Sequence, residues 1–174
     1  MSIASTGPLD AVSRADLSAG ISDAAIYRMV SRALMQRGIR GGRIVDVGCG
    51  VGNLYPLISP LFDEYVGVDA IRYDGLPAGV QFVPFELNSG ILPLPAASFD
   101  VVMAVETIEH LENPREFMRQ LVGLVRPGGW VIVTTPNQLS FLSLLTLVMK
   151  QRFSAFQDVH YPAHLTALLE IDLL

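Results

Sequence analysis

A chain of 174 residues, 51% of them hydrophobic and with a net charge of -5, has the length for one domain with a sizeable core. The acidic balance and scattered basic residues exclude an extended footprint on a phosphate backbone, so the expected partner is a small-molecule substrate and not a nucleic acid. One cysteine excludes an internal disulfide framework and points to a reducing cytoplasm. In spite of a mean hydropathy of +0.42, no apolar run reaches the ~18 residues of a membrane span.

Residues 1–20 lack a basic region ahead of an apolar core, so they are expected to form a flexible arm and not a secretory signal. Residues 22–37 carry Ala25, Ile26, Met29, Val30, Ala33 and Leu34 at helical spacing, with Ser22 or Asp23 as N-cap and Gly38 as the stop. "RIVDVG" is then a short buried strand and "NLYPLISPLF" a short helix. "EYVGVDA", "VQFVPFEL" and "FDVVMAVE" follow as strands. "PREFMRQLVGLV" is a helix ended by "RPGG", and "WVIVTTPN" a fifth strand. Near-continuous apolar strands alternating with helices predict an α/β fold, Rossmann-like and doubly wound, with a mainly parallel sheet flanked by helices. "LSFLSLLTLVMKQRF" is an apolar stretch of helical length, either a buried helix, an oligomer contact or a lid over an acceptor. "HLTALLEIDLL" reads as a last helix.

The loop after the first strand, "IVDVGCGVGN", places Gly48, Gly50 and Gly52 at G-x-G-x-G spacing. The dinucleotide fingerprint is G-x-G-x-x-G, with a pyrophosphate on the following helix. Here the third glycine comes one residue early and no basic residue stands nearby. Asp46 precedes the first glycine by two positions, where a carboxylate favours an ammonium and disfavours a pyrophosphate. Asp69 ends the second strand at about the 20-residue distance where an acidic residue meets ribose hydroxyls. S-adenosylmethionine meets both demands.

"VDVGCGVGN", "VGVDA", "LPLPAASFDVVMAVETIEHLENP" and "RPGGWVIVTTPN" together resemble the successive motifs of class I S-adenosylmethionine-dependent methyltransferases, over residues 20–174. The resemblance implies a seven-stranded sheet whose last two strands are not found here, so the expectation is a C-terminally truncated domain over residues 21–174. It would leave an open sheet edge beside strand five, open to a homodimer. The resemblance further implies that Gly48, Cys49 and Gly50 line the methionine part of the cofactor, with Asp46 near its amino group. Asp69 would take the ribose diol, with Ala70 and Ile71 on the adenine. Glu86 would lie near the adenine amino group and Leu87 against the ring edge, while Val105 and Glu106 would flank the methionine and open towards the acceptor.

Methyl transfer to oxygen or nitrogen can require a base, and "ETIEH" offers Glu106, Glu109 and His110, expected on one face of a helical turn. His110 is the candidate base or acceptor-orienting group, and no residue is assigned outright to a metal. The E-x-x-E-H pattern is nevertheless similar to that of quinone-ring and small-RNA O-methyltransferases, some of which hold a divalent ion with a later histidine. His160 or His164, either side of Pro162, is the candidate here. "TPN" and "RFSAFQDVHYPAHLT" also resemble methyltransferases of bacterial surface-polysaccharide assembly. The expected acceptor is therefore a sugar hydroxyl first and a quinone-like phenol second, with contact at a membrane surface open. The rival classes are a non-catalytic module that binds the cofactor and an NAD-dependent oxidoreductase.

Overall fold

The computed structural model describes residues 21–156 and 164–172. The expected arm at 1–20 and His160 lie outside the described residues. Helix α1 (Ala24–Gln36) starts at Asp23, whose Oδ1 accepts from Ala25 N at 2.7 Å, and is followed by Gly38 in the left-handed region. Its buried face is Tyr27, Val30, Ser31 and Leu34. The apolar spacing predicts a face that includes Ala25 and Met29, which are exposed. The face turns because Tyr27 joins it: a tyrosine buries its ring and needs one partner for its hydroxyl, here Ser22 N.

Strand β1 (Arg43–Val47) leads through the glycine loop to α2 (Tyr55–Ile58), a single turn extended by a 3-10 turn at Ser59–Leu61. Then come β2 (Glu64–Asp69), β3 (Gln81–Pro84), β4 (Phe99–Val105), a 3-10 turn at Ile108–His110, α3 (Pro114–Leu124), β5 (Val125–Thr134) and α4 (Phe141–Lys150). Every pairing is parallel, in the order β3-β2-β1-β4-β5. "RPGG" lies inside β5 as an irregularity: Phe99 pairs with Val125 and Val101 with Trp130. Gly128 adopts φ 80°, and a Cβ on Gly129 would stand 2.6 Å from the Asp100 carbonyl oxygen.

One face of the sheet packs Ile44, Val101 and Met103 against Val30 and Leu34 of α1. The other packs Val45, Val66, Val102 and Ala104 against Phe117, Leu121 and Leu124 of α3. Helices on both faces of a parallel sheet give the expected doubly wound α/β fold. The strand order reverses between β1 and β4, so the connections leaving these two strands run to opposite faces and open a crevice beyond their C-terminal ends.

Two expectations fail downstream. Residues 164–172 form no helix beyond a 3-10 turn at Glu170–Asp172. Leu165 N and Thr166 N instead both donate to the Glu109 carbonyl (2.8 and 3.0 Å), and the Thr166 hydroxyl donates to Leu111 O at 3.2 Å. Amides committed to another segment cannot close helical turns. Helix α4 forms, but it is not a buried helix: within it only Ser143 is buried, while Phe141 and Val148 are 83% and 81% exposed.

Candidate active site

The crevice is a cleft of about 870 Å³ with its open mouth included. Its floor is built by the ends of β1 and β2. Gly48 N and Cys49 N both donate to Val68 O (2.7 and 3.1 Å), which folds the glycine loop back over β2. Gly48 has φ 85°, and a Cβ there would lie 2.3 Å from Thr107 Oγ1. The first glycine is thus required by the approach of Thr107, from the loop after β4, as much as by any ligand.

Asp69 braces the loop. One carboxylate oxygen accepts from Gly50 N at 2.8 Å and the other from Ile71 N at 3.4 Å. Burial pushes its carboxyl up, and these backbone donors oppose the rise. Asp46 is 2% exposed; its Oδ2 accepts from the Tyr65 hydroxyl at 2.5 Å, and its Oδ1 has no hydrogen-bond partner. Burial raises this carboxyl to about 6, against the bond from Tyr65. Cys49 is buried, and burial, followed by the charges of Asp46 and Asp69, pushes its thiol far up, which disfavours the thiolate.

The opposite wall comes from the end of β4. Glu106 adopts φ 52°, a left-handed conformation that a side chain rarely takes. It is held there by Thr134 of β5: the Thr134 hydroxyl donates to Glu106 Oε1 at 2.8 Å and lies 3.0 Å from Glu106 N, which donates to it. This kink separates Glu106 from the next turn, so the expected shared face of Glu106, Glu109 and His110 is not formed. Only Ile108–His110 winds, as a 3-10 turn.

The group that does assemble among the described residues is Glu109, His110 and His164, with one ligand atom of each within 4.8 Å of the others. The two imidazoles meet edge to face at 4.7 Å between ring centroids, and Phe156 packs on His164 at 5.4 Å. His164 Nδ1 lies 2.6 Å from Ala155 O, which accepts if that nitrogen is protonated and so fixes the ring. Glu109 is 1% exposed and its Oε2 has no partner; burial, followed by the charge of Glu106, raises its carboxyl to about 8.

Of the residues singled out from the sequence, Asp46, Gly48, Cys49, Asp69, Ala70, Glu86, Leu87, Val105, Glu106 and His110 line the cleft. Gly50 and Ile71 stand behind the lining and act through Asp69. Glu86 Oε1 accepts from Asn88 N at 2.8 Å, which ties it to its own turn. Tyr27, Tyr73 and Thr107 also line the cleft and were missed. Tyr27 was within reach, since it sits at i−3 from Val30 on the helix next to the glycine strand.

Among the described residues the lining holds four carboxylates, from Asp46, Asp69, Glu86 and Glu106, and neither lysine nor arginine. That balance fits a cationic nucleoside and repels a diphosphate. A sequence profile described as a methyltransferase domain matches residues 22–168. The chain belongs to the class I S-adenosylmethionine-dependent methyltransferase family.

Within this family, the chain is 33% identical over 121 residues to a ubiquinone biosynthesis O-methyltransferase of Maricaulis maris, a match covering 65% of this chain and 48% of that one. It is 32% identical over 111 residues to the enzyme of the same name from Bordetella avium, covering 58% and 45%. The methyltransferase chain thus spans about half the length of the curated relatives it matches. A solved S-adenosylmethionine-dependent methyltransferase from Archaeoglobus fulgidus shares the fold, with a TM-score of 0.62 over 84% of this chain and 65% of that one, at 22% identity.

Proposed function

We propose that the chain binds S-adenosylmethionine in this cleft and methylates a hydroxyl of a small molecule, an aromatic hydroxyl ahead of a sugar hydroxyl. The observation that carries this reading is one cleft with two chemically distinct parts. A buried carboxylate oxygen without a partner, on Asp46, lines it in one place, and in another the imidazole of His110, behind which Glu109 and His164 cluster. The order of acceptors follows the names of the curated relatives.

When bound, the cofactor supplies an electrophilic methyl group on a sulfonium. Asp46 takes its ammonium, with the backbone of Gly48 and Cys49 along the methionine, and Asp69, fixed by Gly50 and Ile71, takes the ribose diol. Ala70 and Leu87 border the adenine, with Glu86 at the edge. Val105 and Glu106 close the methionine side towards the acceptor. His110 accepts the acceptor's proton, and His164 packs the ring in place. General-base assistance of this kind contributes about 10²–10⁴-fold. A second reading is favoured by the unpartnered Oε2 of Glu109 beside two imidazoles: a divalent cation held by Glu109, His110 and His164 would lower the hydroxyl's pKa.

Among the described residues no helix is long and apolar enough to cross a membrane. We place the protein in the cytoplasm on the strength of its single buried cysteine and acidic balance. The exposed side chains of α4 support either a second copy of the chain or a membrane surface as a neighbour. Light scattering with and without vesicles separates these.

The deciding experiment is calorimetric titration with S-adenosylhomocysteine, with NADH as the control, followed by turnover of a catechol. Micromolar binding that is lost in Asp69→Ala and absent for NADH supports the cofactor assignment. A His110→Gln variant that binds normally but turns over at least about 100-fold more slowly supports the base. Restoration of EDTA-stripped activity by manganese supports the second reading. Binding of NADH alone would overturn the methyltransferase assignment. Unchanged turnover in His110→Gln would overturn the role of that histidine.

A further inference from the structure

The reading of Asp46 as the ammonium-binding carboxylate leaves open what keeps a fully buried acid ionised and aimed. Asp46 on β1 pairs in register with Gly67 on β2, so Tyr65, two residues earlier, projects from the same face of the sheet. Gly67 carries no side chain between them; a Cβ there would meet Val80 at 2.8 Å and Cys49 Sγ at 2.9 Å. The phenol therefore reaches along the face to Asp46 Oδ2 at 2.5 Å. Its ring is fixed in turn by Tyr55, edge to face at 5.0 Å and 87°. Tyr65 is 4% exposed and does not line the cleft, so it touches no ligand itself.

We propose that Tyr65 is a positioning residue for cofactor binding: its hydroxyl engages one oxygen of Asp46 and leaves the other, as an anion, for the ammonium of the ligand. This rests on the cofactor assignment made above. A buried carboxylate with one oxygen bonded and one orphaned is costly unless a ligand satisfies the second. Other groups face the pair. They are Asp69 on β2, Cys49 in the glycine loop, Tyr27 on α1, and Thr107, Glu106 and His110 across the cleft. The Tyr27 hydroxyl accepts from Ser22 N at 2.9 Å, Arg72 acts on neighbouring Cys49, and Asp69 and Glu106 are acids that repel the anion. Of the groups that act on the Asp46 carboxyl, the Tyr65 hydroxyl is the one that favours its anion.

The pH dependence follows in sign. Asp46 must be ionised to hold an ammonium, and in the ligand-free chain it titrates at about 6, so affinity for S-adenosylhomocysteine falls below that pH. Removing the phenol removes the bond that holds this value down. In Tyr65→Phe the fall therefore begins at a higher pH, and affinity at pH 7 drops about tenfold. The discriminating probe is 5'-methylthioadenosine, which keeps the ribose and adenine and lacks the amino acid.

The test is calorimetric titration of wild type, Tyr65→Phe and Asp46→Asn with both nucleosides from pH 5.5 to 8.5. Support is a loss confined to S-adenosylhomocysteine in both variants, with the acid limb moved up in Tyr65→Phe and absent in Asp46→Asn. Should Tyr65→Phe unfold, Asp46→Asn keeps the phenol and still decides whether the limb belongs to Asp46. Equal weakening of both nucleosides, or a Tyr65→Phe profile superimposed on wild type, overturns the proposal while the cofactor assignment stands. Failure of wild type to bind either nucleoside overturns both.

Discussion

Replacing Gly48 by alanine asks why the loop after β1 needs a glycine at its first position. The residue sits at φ 85°, and an added Cβ would lie 2.3 Å from Thr107 Oγ1 and 2.5 Å from its Cγ2. Left-handed backbone costs an alanine about 1–2 kcal/mol. Forcing a methyl group into occupied space costs about 1–3 kcal/mol more. Gly48→Ala is therefore expected to lose about 2–5 kcal/mol, a large fraction of the stability of a domain. Thr107→Ala removes both crowding atoms and leaves its own Cβ 3.0 Å away. The double variant should then regain most of the packing part, about 1–2 kcal/mol, and none of the backbone part. Urea unfolding of the four proteins without ligand measures the cycle. Additive losses, or a Gly48→Ala loss below about 1 kcal/mol, would refute the argument and return the glycine to the ligand alone.

Two further outcomes concern the acids of the cleft. Glu109 and Asp46 rise from ordinary values of 4.5 and 3.8 to about 8 and about 6 on folding, so above pH 4 the folded chain holds protons that the unfolded chain has released. Stability is full on the acid side of both ordinary values and falls as pH rises through 6 and 8. Glu109→Gln should flatten the decline in Tm between pH 6 and 8, measured in EDTA, and curves parallel to wild type would contradict this. Thr134→Val breaks two bonds to Glu106, one of them to a carboxylate, and should cost about 1–3 kcal/mol in urea unfolding, with Thr134→Ser near wild type. Equal losses in the two variants would assign the effect to packing of β5.

The strands were legible because a parallel sheet buried on both faces writes itself as short apolar runs, as in "RIVDV" and "FDVVMAV". The cleft was legible for a related reason: residues at the C-terminal ends of such strands face the crevice whatever the loops do, which holds for Asp46, Asp69 and Val105. What escaped depends on contacts distant in sequence. Nothing in "VETIEH" announces that Glu106 turns left-handed, because Thr134, far along the chain, holds it so. "HLTALLEIDLL" has helical spacing, yet its first amides bind Glu109 O, an interaction that no local pattern encodes. Tyr65 was invisible as a functional residue because its strand pattern is satisfied equally by a buried aromatic with no partner.

Residues 164–168 also tie the cleft to a segment distant in sequence. Among the described residues the segments that line the cleft end at Leu111, yet Glu106 in its wall is held by Thr134 of β5. His164 lies further along the chain, held at His110 by the two amides clasped on Glu109 O and by Leu168 anchored in the core. The pose of the cleft wall and the pairing of the two imidazoles therefore both depend on chain that lies beyond the lining itself.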